Sequence, residues 1–248
     1  MAASSPETAP HEVLPQWYSA PEQRSEFVNE LFDKTARHYD WVCKAMAFGT
    51  GQLHRRRTLA WGGFKPGMKL LDLATGTGLV AQAALDLGAK PGDVVGLDPS
   101  MGMLSENRRR RPLALVRAGG EAIPFGADSF DFVTMGYALR HVTNLVELFT
   151  GIARVLRPGG KLLVMEISKP RSKIGTALCR LYLRRIVPFV GRIATGDKET
   201  ARLMQYYWDT IEACVPAEVI LAAMGQAGLT GVRRRLTGGI LSDYAASR

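Results

Sequence analysis

The sequence has few of the residues that build disulfides and metal sites. Its 248 residues include three cysteines and four histidines. The cysteines Cys43, Cys179 and Cys214 are scattered, and no metal-ligand spacing links them. An odd number of scattered cysteines is typical of free thiols in a reducing compartment. Because a chain of this length buries a sizeable core without cross-links, we expect neither a disulfide nor a metal site.

Long apolar runs are also missing. A helix that spans a bilayer needs about 20 consecutive apolar residues, and no uninterrupted run in the sequence is that long. Residues 1–13 have no basic n-region and no apolar h-region, and they include Glu7 and Glu12. A secretory signal or an Arg-rich transit peptide is therefore not expected. We predict a cytoplasmic protein and leave open whether it is peripheral to a membrane.

Acidic residues are fewer than basic ones. There are 23 Asp and Glu against 32 Lys and Arg, for a net charge of +9. The basic excess is clustered in four runs, at 55–57, 108–111, 184–185 and 233–235. Such runs fit an anionic membrane surface, an anionic substrate or solvated helix faces, of which we favour solvated faces. No aromatic residues interleave with them as a stacking platform would require, so no nucleic-acid partner is expected.

Strand-like and helix-like segments alternate through the middle of the chain. Apolar strand patterns cover residues 69–74, 93–98, 113–118, 130–136 and 161–167. Helical patterns cover 79–87, 101–109, 145–156 and 216–227, and a closing pair of strands covers 232–236 and 239–245. This alternation is typical of βαβ units. We therefore predict an α/β, Rossmann-like fold: a mostly parallel sheet with helices on both faces and an antiparallel strand near the C-terminus.

The segments outside this alternation differ in character. Residues 1–20 carry no apolar periodicity, which predicts a disordered tail. Residues 22–59 show the periodicity of a helix. Residues 169–212 are helical, basic and aromatic, and we interpret them as a segment that covers a substrate. The sequence thus predicts a single domain over residues 21–248, with a helical substrate lid at about 169–212.

A glycine-rich turn follows the first predicted strand. Gly76, Gly78 and Ala81 match the pattern G-x-G-x-x-G/A, and Asp98 ends the next predicted strand. In nucleotide-binding folds an acidic residue at that place binds a ribose, and its ionised carboxylate can accept both hydroxyls. Met103, or its neighbour Met101, could pack on an adenine ring, although core filling is the simpler interpretation. This pattern alone fits a nicotinamide dinucleotide and S-adenosylmethionine equally well.

Asp72 favours one of these two cofactors. It lies four residues before Gly76, at the end of the first predicted strand. A dinucleotide places its pyrophosphate at this turn, on the helix N-terminus, and a carboxylate there would repel it. S-adenosylmethionine instead carries an ammonium and a sulfonium, which a carboxylate attracts. We therefore predict S-adenosylmethionine as the cofactor, with a strand-end cap as the alternative role of Asp72.

A series of longer motifs follows in order along the chain. They are D-L-A-x-G-T-G at 72–78, G-E-A-I-P-F at 120–125, S-F-D at 129–131, L-R-x-V-T at 139–143, V-L-x-P-G-G-K-L-L-V at 155–164 and E-x-S-K-P at 166–170. Together with F-D-x-x-A-x-x-Y-D at 32–40, they resemble the UbiE/COQ5 family of class I methyltransferases over about residues 27–240. The resemblance implies a class I methyltransferase fold and C-methylation of a ubiquinone or menaquinone precursor, which is a small hydrophobic, phenolic acceptor.

The resemblance also implies cofactor contacts at Thr77, Asp98 and the pair Gly119–Gly120. The chain departs from the family where Gly119 replaces the usual Asn or Asp, Gly136 replaces Ser and His141 replaces Asn. Its C-terminal run, 238–245, also lacks the family's basic ending. These departures leave the cofactor in place, but they leave open an O- or N-methyltransferase of a small aromatic metabolite or a lipid headgroup. The predicted cofactor-binding residues are Asp72, Ala74, Gly76, Thr77, Gly78, Asp98, Pro99, Met103, Gly119, Gly120, Glu121 and Gly136.

C-methylation of a phenol requires an ionised oxygen, so that charge flows onto the ring carbon. A base or a cation that stabilises phenolate supplies this. Residues 137–141 follow the fourth predicted strand, at the sheet edge where ligands of α/β folds bind. We hypothesise that Arg140 stabilises the phenolate, His141 acts as base and Tyr137 orients the acceptor. The alternatives are an ion pair between Arg140 and Glu166 and a surface or helix-start role for His141.

The predicted lid carries a further partner hypothesis. Residues 169–196 mix large apolar side chains with Lys173, Arg180, Arg184, Arg185 and Arg192. Such a mixture fits a cover over a hydrophobic acceptor and contact with an anionic bilayer. An amphipathic segment packed on the domain is the alternative. Neither a homodimer nor a non-catalytic domain that binds S-adenosylmethionine is excluded by the sequence.

Overall fold

The computed structural model describes residues 9–196 and 198–248. Its strands are β1 (Leu70–Leu73), β2 (Val94–Asp98), β3 (Ala114–Arg117), β4 (Phe130–Gly136), β5 (Leu156–Ile167), β6 (Thr230–Thr237) and β7 (Leu241–Ser247). They form one sheet in the order β3-β2-β1-β4-β5-β7-β6. The strands β1 to β5 pair in parallel, whereas β7 is antiparallel to both β5 and β6. The predicted mostly parallel sheet with an antiparallel strand near the C-terminus is confirmed.

Helices connect and flank the strands. They are α1 (Gln23–Met46), α2 (Gly51–Gly62), α3 (Leu79–Asp86), α4 (Met101–Arg110), α5 (Leu145–Val155), α6 (Lys173–Leu181), α7 (Val187–Thr195), α8 (Lys198–Ala213) and α9 (Ala217–Gln226). The side chains of Ser100, Asn144 and Ser172 accept backbone N–H groups at the starts of α4, α5 and α6. These caps satisfy donors that the first turn of a helix leaves unpaired, and so they fix where these helices begin.

Alternate residues of the central strands face two different layers of helices. Phe132 of β4 belongs to a core cluster with residues of α2 and α3. Its neighbour Val133 belongs to a cluster with residues of α5 and α9. Because successive side chains of a strand point to opposite faces, helices cover both faces of the sheet, as predicted. This double burial explains why the parallel strands are continuous apolar runs in the sequence.

Two helices stand at the N-terminal end of the domain, where we had predicted one. The pattern over residues 22–59 predicted continuous helix, but α1 ends at Met46 and α2 begins at Gly51. Phe48 and Gly49 between them both have positive φ, at 48° and 77°. This left-handed conformation ends a helix, and it is costly for a residue with a side chain. The break turns α2 toward α3, against which it packs.

Residues 9–20 are packed rather than disordered. We predicted a disordered tail through residue 20, but Leu14 and Tyr18 are buried. Trp17 contacts the rings of Phe27 and Tyr206. A few large apolar side chains at irregular spacing therefore anchor this segment, and the search for helical or strand periodicity does not detect such an anchor. The part of the prediction that concerns residues 1–8 lies outside the described residues.

The segment predicted as a lid is helical and packs against α1. It comprises α6, a π-helical turn at Tyr182–Ile186, α7 and α8. A third core cluster joins Val28 and Leu31 of α1 to Leu203, Tyr207 and Trp208 of α8. The outer faces of α6 and α7 remain apolar and exposed, as at Ile174 and Phe189. The helical character was predicted correctly, and the covering role stays a prediction.

Candidate active site

A cavity of about 280 Å³ lies at the carboxyl edge of the parallel strands. Ala74 directly follows β1, and Asp98 and Gly136 are the last residues of β2 and β4. We call this the sheet-edge cavity. Nine of the twelve predicted cofactor-binding residues line it: Ala74, Gly76, Asp98, Pro99, Met103, Gly119, Gly120, Glu121 and Gly136. The structure thus brings together residues that are up to 62 positions apart in the sequence.

Asp98 supplies the main polar group of the sheet-edge cavity. Its two carboxylate oxygens accept the backbone N–H groups of Gly76 and Ser100, each at 2.8 Å. Burial raises the pKa of Asp98 to about 6, although the two N–H donors oppose that shift. The group is therefore ionised at neutral pH. Each oxygen keeps a further lone pair, so the carboxylate can also accept a ribose hydroxyl, as the cofactor prediction requires.

The glycine turn depends on Gly78. Its φ is +86°, and a Cβ atom there would lie 2.6 Å from Asn107 Oδ1. Any other residue would strain the backbone and also displace Asn107, which donates a hydrogen bond to the Gly76 carbonyl. Gly78 lies at the start of α3 and does not line the cavity. Gly78 therefore shapes the turn, although we had expected it to contact the cofactor directly.

Asp72 lies behind the glycine turn rather than in the cavity. It is completely buried. It accepts hydrogen bonds from Thr75 Oγ1 at 2.7 Å and Thr134 Oγ1 at 2.8 Å. Burial raises its pKa to about 6. We expected Asp72 to contact a cationic ligand directly, and its position corrects this. Asp72 supports the glycine turn from inside the core, so its charge can attract a cationic ligand only across the turn.

Helix α1 closes the sheet-edge cavity from the opposite side. Asp33 Oδ1 accepts the Ser100 hydroxyl at 2.6 Å and the Gly102 N–H at 2.7 Å. Asp40 accepts hydrogen bonds from Thr77 and Arg110. Thr77 therefore ties the turn to α1 and does not line the cavity, where contact had been predicted. The two aspartates belong to the motif at 32–40. That motif was part of the family resemblance, but no role in the site was predicted for its residues.

Ser25, Asn29, Phe32 and Tyr39 of α1 line the cavity and were missed by the sequence reasoning. Their spacing matches the apolar and polar faces of an ordinary amphipathic helix. No local pattern separates side chains that face a ligand from those that face a core. Only the way α1 crosses the carboxyl edge of the sheet shows their position.

The three predicted catalytic residues have different surroundings. Tyr137 lines the cavity, and burial raises its pKa to about 12, so its hydroxyl stays protonated. His141 also lines the cavity and stacks on Tyr206 at 5.4 Å. Burial and the nearby Arg140 charge hold the pKa of His141 well below its usual value. It is therefore neutral and a weak base, which disfavours the base role that was hypothesised.

Arg140 is completely buried and lines neither of the two large cavities. Its guanidinium forms an ion pair with Glu166, and its Nε donates to Thr210 Oγ1 at 3.2 Å. It also lies over the ring of Tyr207, 5.3 Å from the centroid. These contacts contradict the expected direct contact with a phenolate. They match the alternative, an ion pair with Glu166, because the buried cation requires a carboxylate partner.

A second, more apolar cavity of about 450 Å³ adjoins the first. We call it the apolar cavity. Its walls come from α1, α2, α6, the π-helical turn, α8 and the start of β7. Tyr39, Tyr137 and Tyr207 line both cavities and form their common boundary. A volume in this range suits a small organic ligand.

Two polar residues of α2, His54 and Arg55, line the apolar cavity. Arg55 belongs to the basic run 55–57, for which we favoured a solvated face. Arg56 and Arg57 are exposed, but Arg55 is only 7% exposed. Its guanidinium lies 5.3 Å from the ring centroid of Tyr137. Residue type and spacing do not indicate this burial, because it depends on the break between α1 and α2 that turns one side of α2 inward.

Several features are absent from the part of the chain that the structure describes. No group of three or more His, Cys, Asp or Glu side chains there is placed to hold a metal ion. Cys43, Cys179 and Cys214 are all free. Among the described helices, none combines the length and apolar character needed to cross a membrane.

Comparison with known protein sequences identifies the family. The model of the ubiE/COQ5 methyltransferase family matches residues 19–248. A demethylmenaquinone methyltransferase of Beutenbergia cavernae is 36% identical over 220 residues, which cover 88% of this chain and 89% of the relative. The ubiquinone/menaquinone biosynthesis C-methyltransferase UbiE of a Shewanella species is 32% identical over 229 residues, which cover 89% of this chain and 90% of the relative.

Solved structures support the fold. A methyltransferase from Thermotoga maritima, described as S-adenosylmethionine-dependent, superposes with a TM-score of 0.62 at 16% identity, covering 88% of this chain and 98% of that one. Phosphoethanolamine N-methyltransferase 2 of Haemonchus contortus, solved with S-adenosylmethionine, gives a TM-score of 0.60 at 17% identity, covering 95% of this chain and 61% of that one. The predicted class I fold, enzyme class and methyl donor are confirmed. The chain belongs to the ubiE/COQ5 methyltransferase family.

Proposed function

We propose that the protein transfers the methyl group of S-adenosylmethionine to a ring carbon of a reduced quinone precursor, of the kind named in its demethylmenaquinone methyltransferase relatives. The observation that carries this proposal is the pairing of two adjoining cavities. The sheet-edge cavity contains the Asp98 carboxylate, and the larger, more apolar cavity meets it at Tyr39, Tyr137 and Tyr207. A cofactor in the first cavity would present its reactive end to an apolar ring in the second.

The residues of the sheet-edge cavity fit the cofactor. S-adenosylmethionine, when bound, supplies a methyl carbon that its sulfonium has already activated. Asp98 would accept the ribose hydroxyls, and Met103 would pack beside the adenine. The protein's task is then to hold the two reactants in line and to exclude water. The buried tyrosines between the cavities are suited to that task, because Tyr207 and Tyr137 stay protonated and carry no charge that would attract water.

The acceptor is tested by incubating the protein with methyl-labelled S-adenosylmethionine and a panel of candidate acceptors. The panel contains a short-tailed demethylmenaquinol, a simple catechol and phosphoethanolamine. We expect release of S-adenosylhomocysteine with the demethylmenaquinol and background release with the other two. Turnover only with the catechol or with phosphoethanolamine would contradict the proposal. Asp98→Ala serves as the control that removes cofactor-dependent turnover.

We further propose that the protein acts at the cytoplasmic surface of an anionic membrane. Large apolar side chains between α1 and α2 and on α6 and α7 are exposed to solvent: Phe48 is 80% exposed, Ile174 75% and Phe189 66%. Phe48 also lines the apolar cavity, and it stacks on Tyr182. Arg184 and Arg185 lie among these residues in the same segment and are exposed. An apolar patch rimmed with cations is suited to anionic lipid surfaces, where a long-tailed quinol would be delivered.

Vesicle flotation tests the membrane contact. We expect the protein to float with vesicles that contain phosphatidylglycerol and to remain at the bottom with neutral phosphatidylcholine vesicles. The double variant Phe48→Ser, Phe189→Ser should lose flotation while it retains cofactor binding, because neither residue lines the sheet-edge cavity. Equal flotation of the double variant and the wild type would reject this surface as the contact.

A further inference from the structure

A histidine and an aspartate meet at the wall of the apolar cavity. His54 of α2 lines the cavity, and its Nε2 lies 3.3 Å from Oδ1 of Asp243 on β7. Asp243 is completely buried, whereas the His54 side chain is 13% exposed. When Nε2 carries its proton toward Asp243, Nδ1 is left with a free lone pair. A histidine beside a buried carboxylate is suited to accept a proton, because the negative charge stabilises the protonated imidazole.

Asp243 is itself held in one position. Arg235 of β6 donates to its Oδ2 from Nε at 3.2 Å and from Nη2 at 2.8 Å. Thr58, one turn after His54 on α2, also donates to Oδ2, at 3.3 Å. Oδ2 is therefore fully engaged, whereas Oδ1 accepts no hydrogen bond and has His54 Nε2 as a neighbour at 3.3 Å. Thr58 Oγ1 also lies 3.4 Å from that nitrogen. This geometry leaves one carboxylate oxygen free to stabilise a proton on His54.

Arg55 adds a cation to the same wall. It is 93% buried, and its Nε is buried without a hydrogen-bond partner. No ion pair between described residues involves it, and its guanidinium lies over the ring of Tyr137. A Cβ at Gly51 would lie 2.8 Å from Nη1, so a larger residue there would shift the guanidinium. A buried guanidinium with an unused donor, facing an apolar cavity, requires an anionic or strongly polar ligand oxygen.

We propose that His54 is the catalytic base that ionises the acceptor hydroxyl, that Arg55 binds the resulting phenolate oxygen, and that Asp243 positions His54. This proposal rests on the proposed function and assigns its proton chemistry. His54 first accepts the hydroxyl proton. The ring carbon then forms a bond to the methyl carbon while the methyl–sulfur bond breaks, and the sulfur keeps that electron pair and loses its positive charge. The ring carbon then releases its hydrogen as a proton to water, and His54 returns the first proton to the oxygen.

The decisive comparison uses His54→Gln and a series of naphthol acceptors of increasing acidity. With a weakly acidic acceptor we expect kcat to fall about a hundredfold, the usual contribution of a general base. With an acceptor that is already ionised at the assay pH, the fall should shrink to less than about threefold, because no base is then required. A loss that is the same for every acceptor, or no loss, would overturn the assignment. His54→Asn repeats the comparison if the glutamine variant does not fold.

Two further variants separate positioning from binding. Asp243→Asn should lower kcat about tenfold with the same dependence on acceptor acidity, which a purely structural defect would not produce. Arg55→Met should raise KM for the acceptor and lower kcat, and Arg55→Lys should recover part of both. The matched control is Arg56→Met, an exposed neighbour on α2 that should behave as the wild type. An Arg55→Met variant with unchanged KM and kcat would contradict the phenolate-binding role.

The affinity for S-adenosylhomocysteine is measured for every variant. It should be unchanged, because His54, Arg55 and Asp243 do not line the sheet-edge cavity. The same data distinguish this proposal from the one on which it rests. If the wild type methylates no phenol, the proposed function fails. If the wild type methylates phenols and His54→Gln is equally active with the weakly acidic ones, only the assignment of the base fails.

Discussion

The two cavities are built in opposite ways. The sheet-edge cavity takes its ligand-facing groups from residues that end or directly follow β1, β2 and β4, such as Ala74, Asp98 and Gly136. The apolar cavity is assembled from α1, α2, α6, α8 and the start of β7. A parallel sheet brings its strand ends together automatically, whereas helices meet only through tertiary packing. The comparison predicts that substitutions in the two cavities have separable effects on cofactor and acceptor.

The largest expected effect concerns the ion pair that supports the boundary between the cavities. Glu166→Gln leaves the Arg140 guanidinium buried without a carboxylate, and Arg140 packs over Tyr207. We expect a loss of about 3–5 kcal/mol in the free energy of unfolding, measured by urea denaturation. The control is Glu218→Gln, at an exposed position on α9 that should cost less than about 0.5 kcal/mol. A small loss for Glu166→Gln would show that the pair is not required.

Asp98→Ala tests the sheet-edge cavity alone. The variant removes the carboxylate that we propose as the acceptor of the ribose hydroxyls, and each such charge-assisted hydrogen bond contributes about 1.5–3 kcal/mol. We expect the Kd for S-adenosylhomocysteine, measured by calorimetry, to rise about a hundredfold. The KM for the acceptor at saturating cofactor should change little. A large change in that KM with unchanged cofactor affinity would reverse the roles of the two cavities.

The pH dependence of cofactor binding follows from the same carboxylate. Burial raises the pKa of Asp98 to about 6, so it is ionised above that pH and protonated below it. A protonated carboxyl accepts hydroxyl hydrogen bonds less strongly, so binding should weaken as the pH falls. Between pH 7 and pH 5 we expect about a tenfold rise in the Kd for S-adenosylhomocysteine. Asp98→Asn should bind weakly at both values and show a flatter profile; an equally steep profile would assign the titration to another group.

The smallest effect concerns the link between α1 and the sheet-edge cavity. Asp33→Ala removes the hydrogen bonds from Ser100 and Gly102 that hold α1 over the cavity. We expect a severalfold faster release of S-adenosylhomocysteine in stopped-flow measurements, consistent with about 1 kcal/mol. Glu30→Ala, which removes an exposed pair with Lys34 on the same helix, is the control. Unchanged release from Asp33→Ala would mean that α1 does not retain the cofactor.

Local patterns predicted the sheet and most of the residues at its carboxyl edge that line the sheet-edge cavity. The apolar run at 69–74 became β1, and the pattern at 130–136 became β4 with the same bounds. Turns after such strands are fixed by local chemistry, since Gly78 has a conformation that suits glycine alone. The position of Asp98 followed from the spacing between consecutive strands. These features depend on residues that are close together in the sequence, so one sequence is enough to predict them.

Features that depend on long-range packing were not predictable in the same way. Arg55 and Arg56 are neighbours in one basic run, yet one is buried beside a cavity and the other is exposed. His54 and Asp243 are 189 positions apart and meet because α2 packs near the start of β7. Arg140 follows β4, as expected for a site residue, but its side chain turns into the core toward Glu166. In each case tertiary contacts decide the side-chain environment, which residue type and spacing leave open.

The location of the transferred methyl group tests the central claim most directly. A short-tailed demethylmenaquinol is incubated with the wild-type protein and S-adenosylmethionine carrying a ¹³C-labelled methyl group, and the product is examined by NMR. We expect one labelled methyl on a ring carbon. A labelled methyl on oxygen, or recovery of the quinol without any label, would contradict the proposed C-methylation.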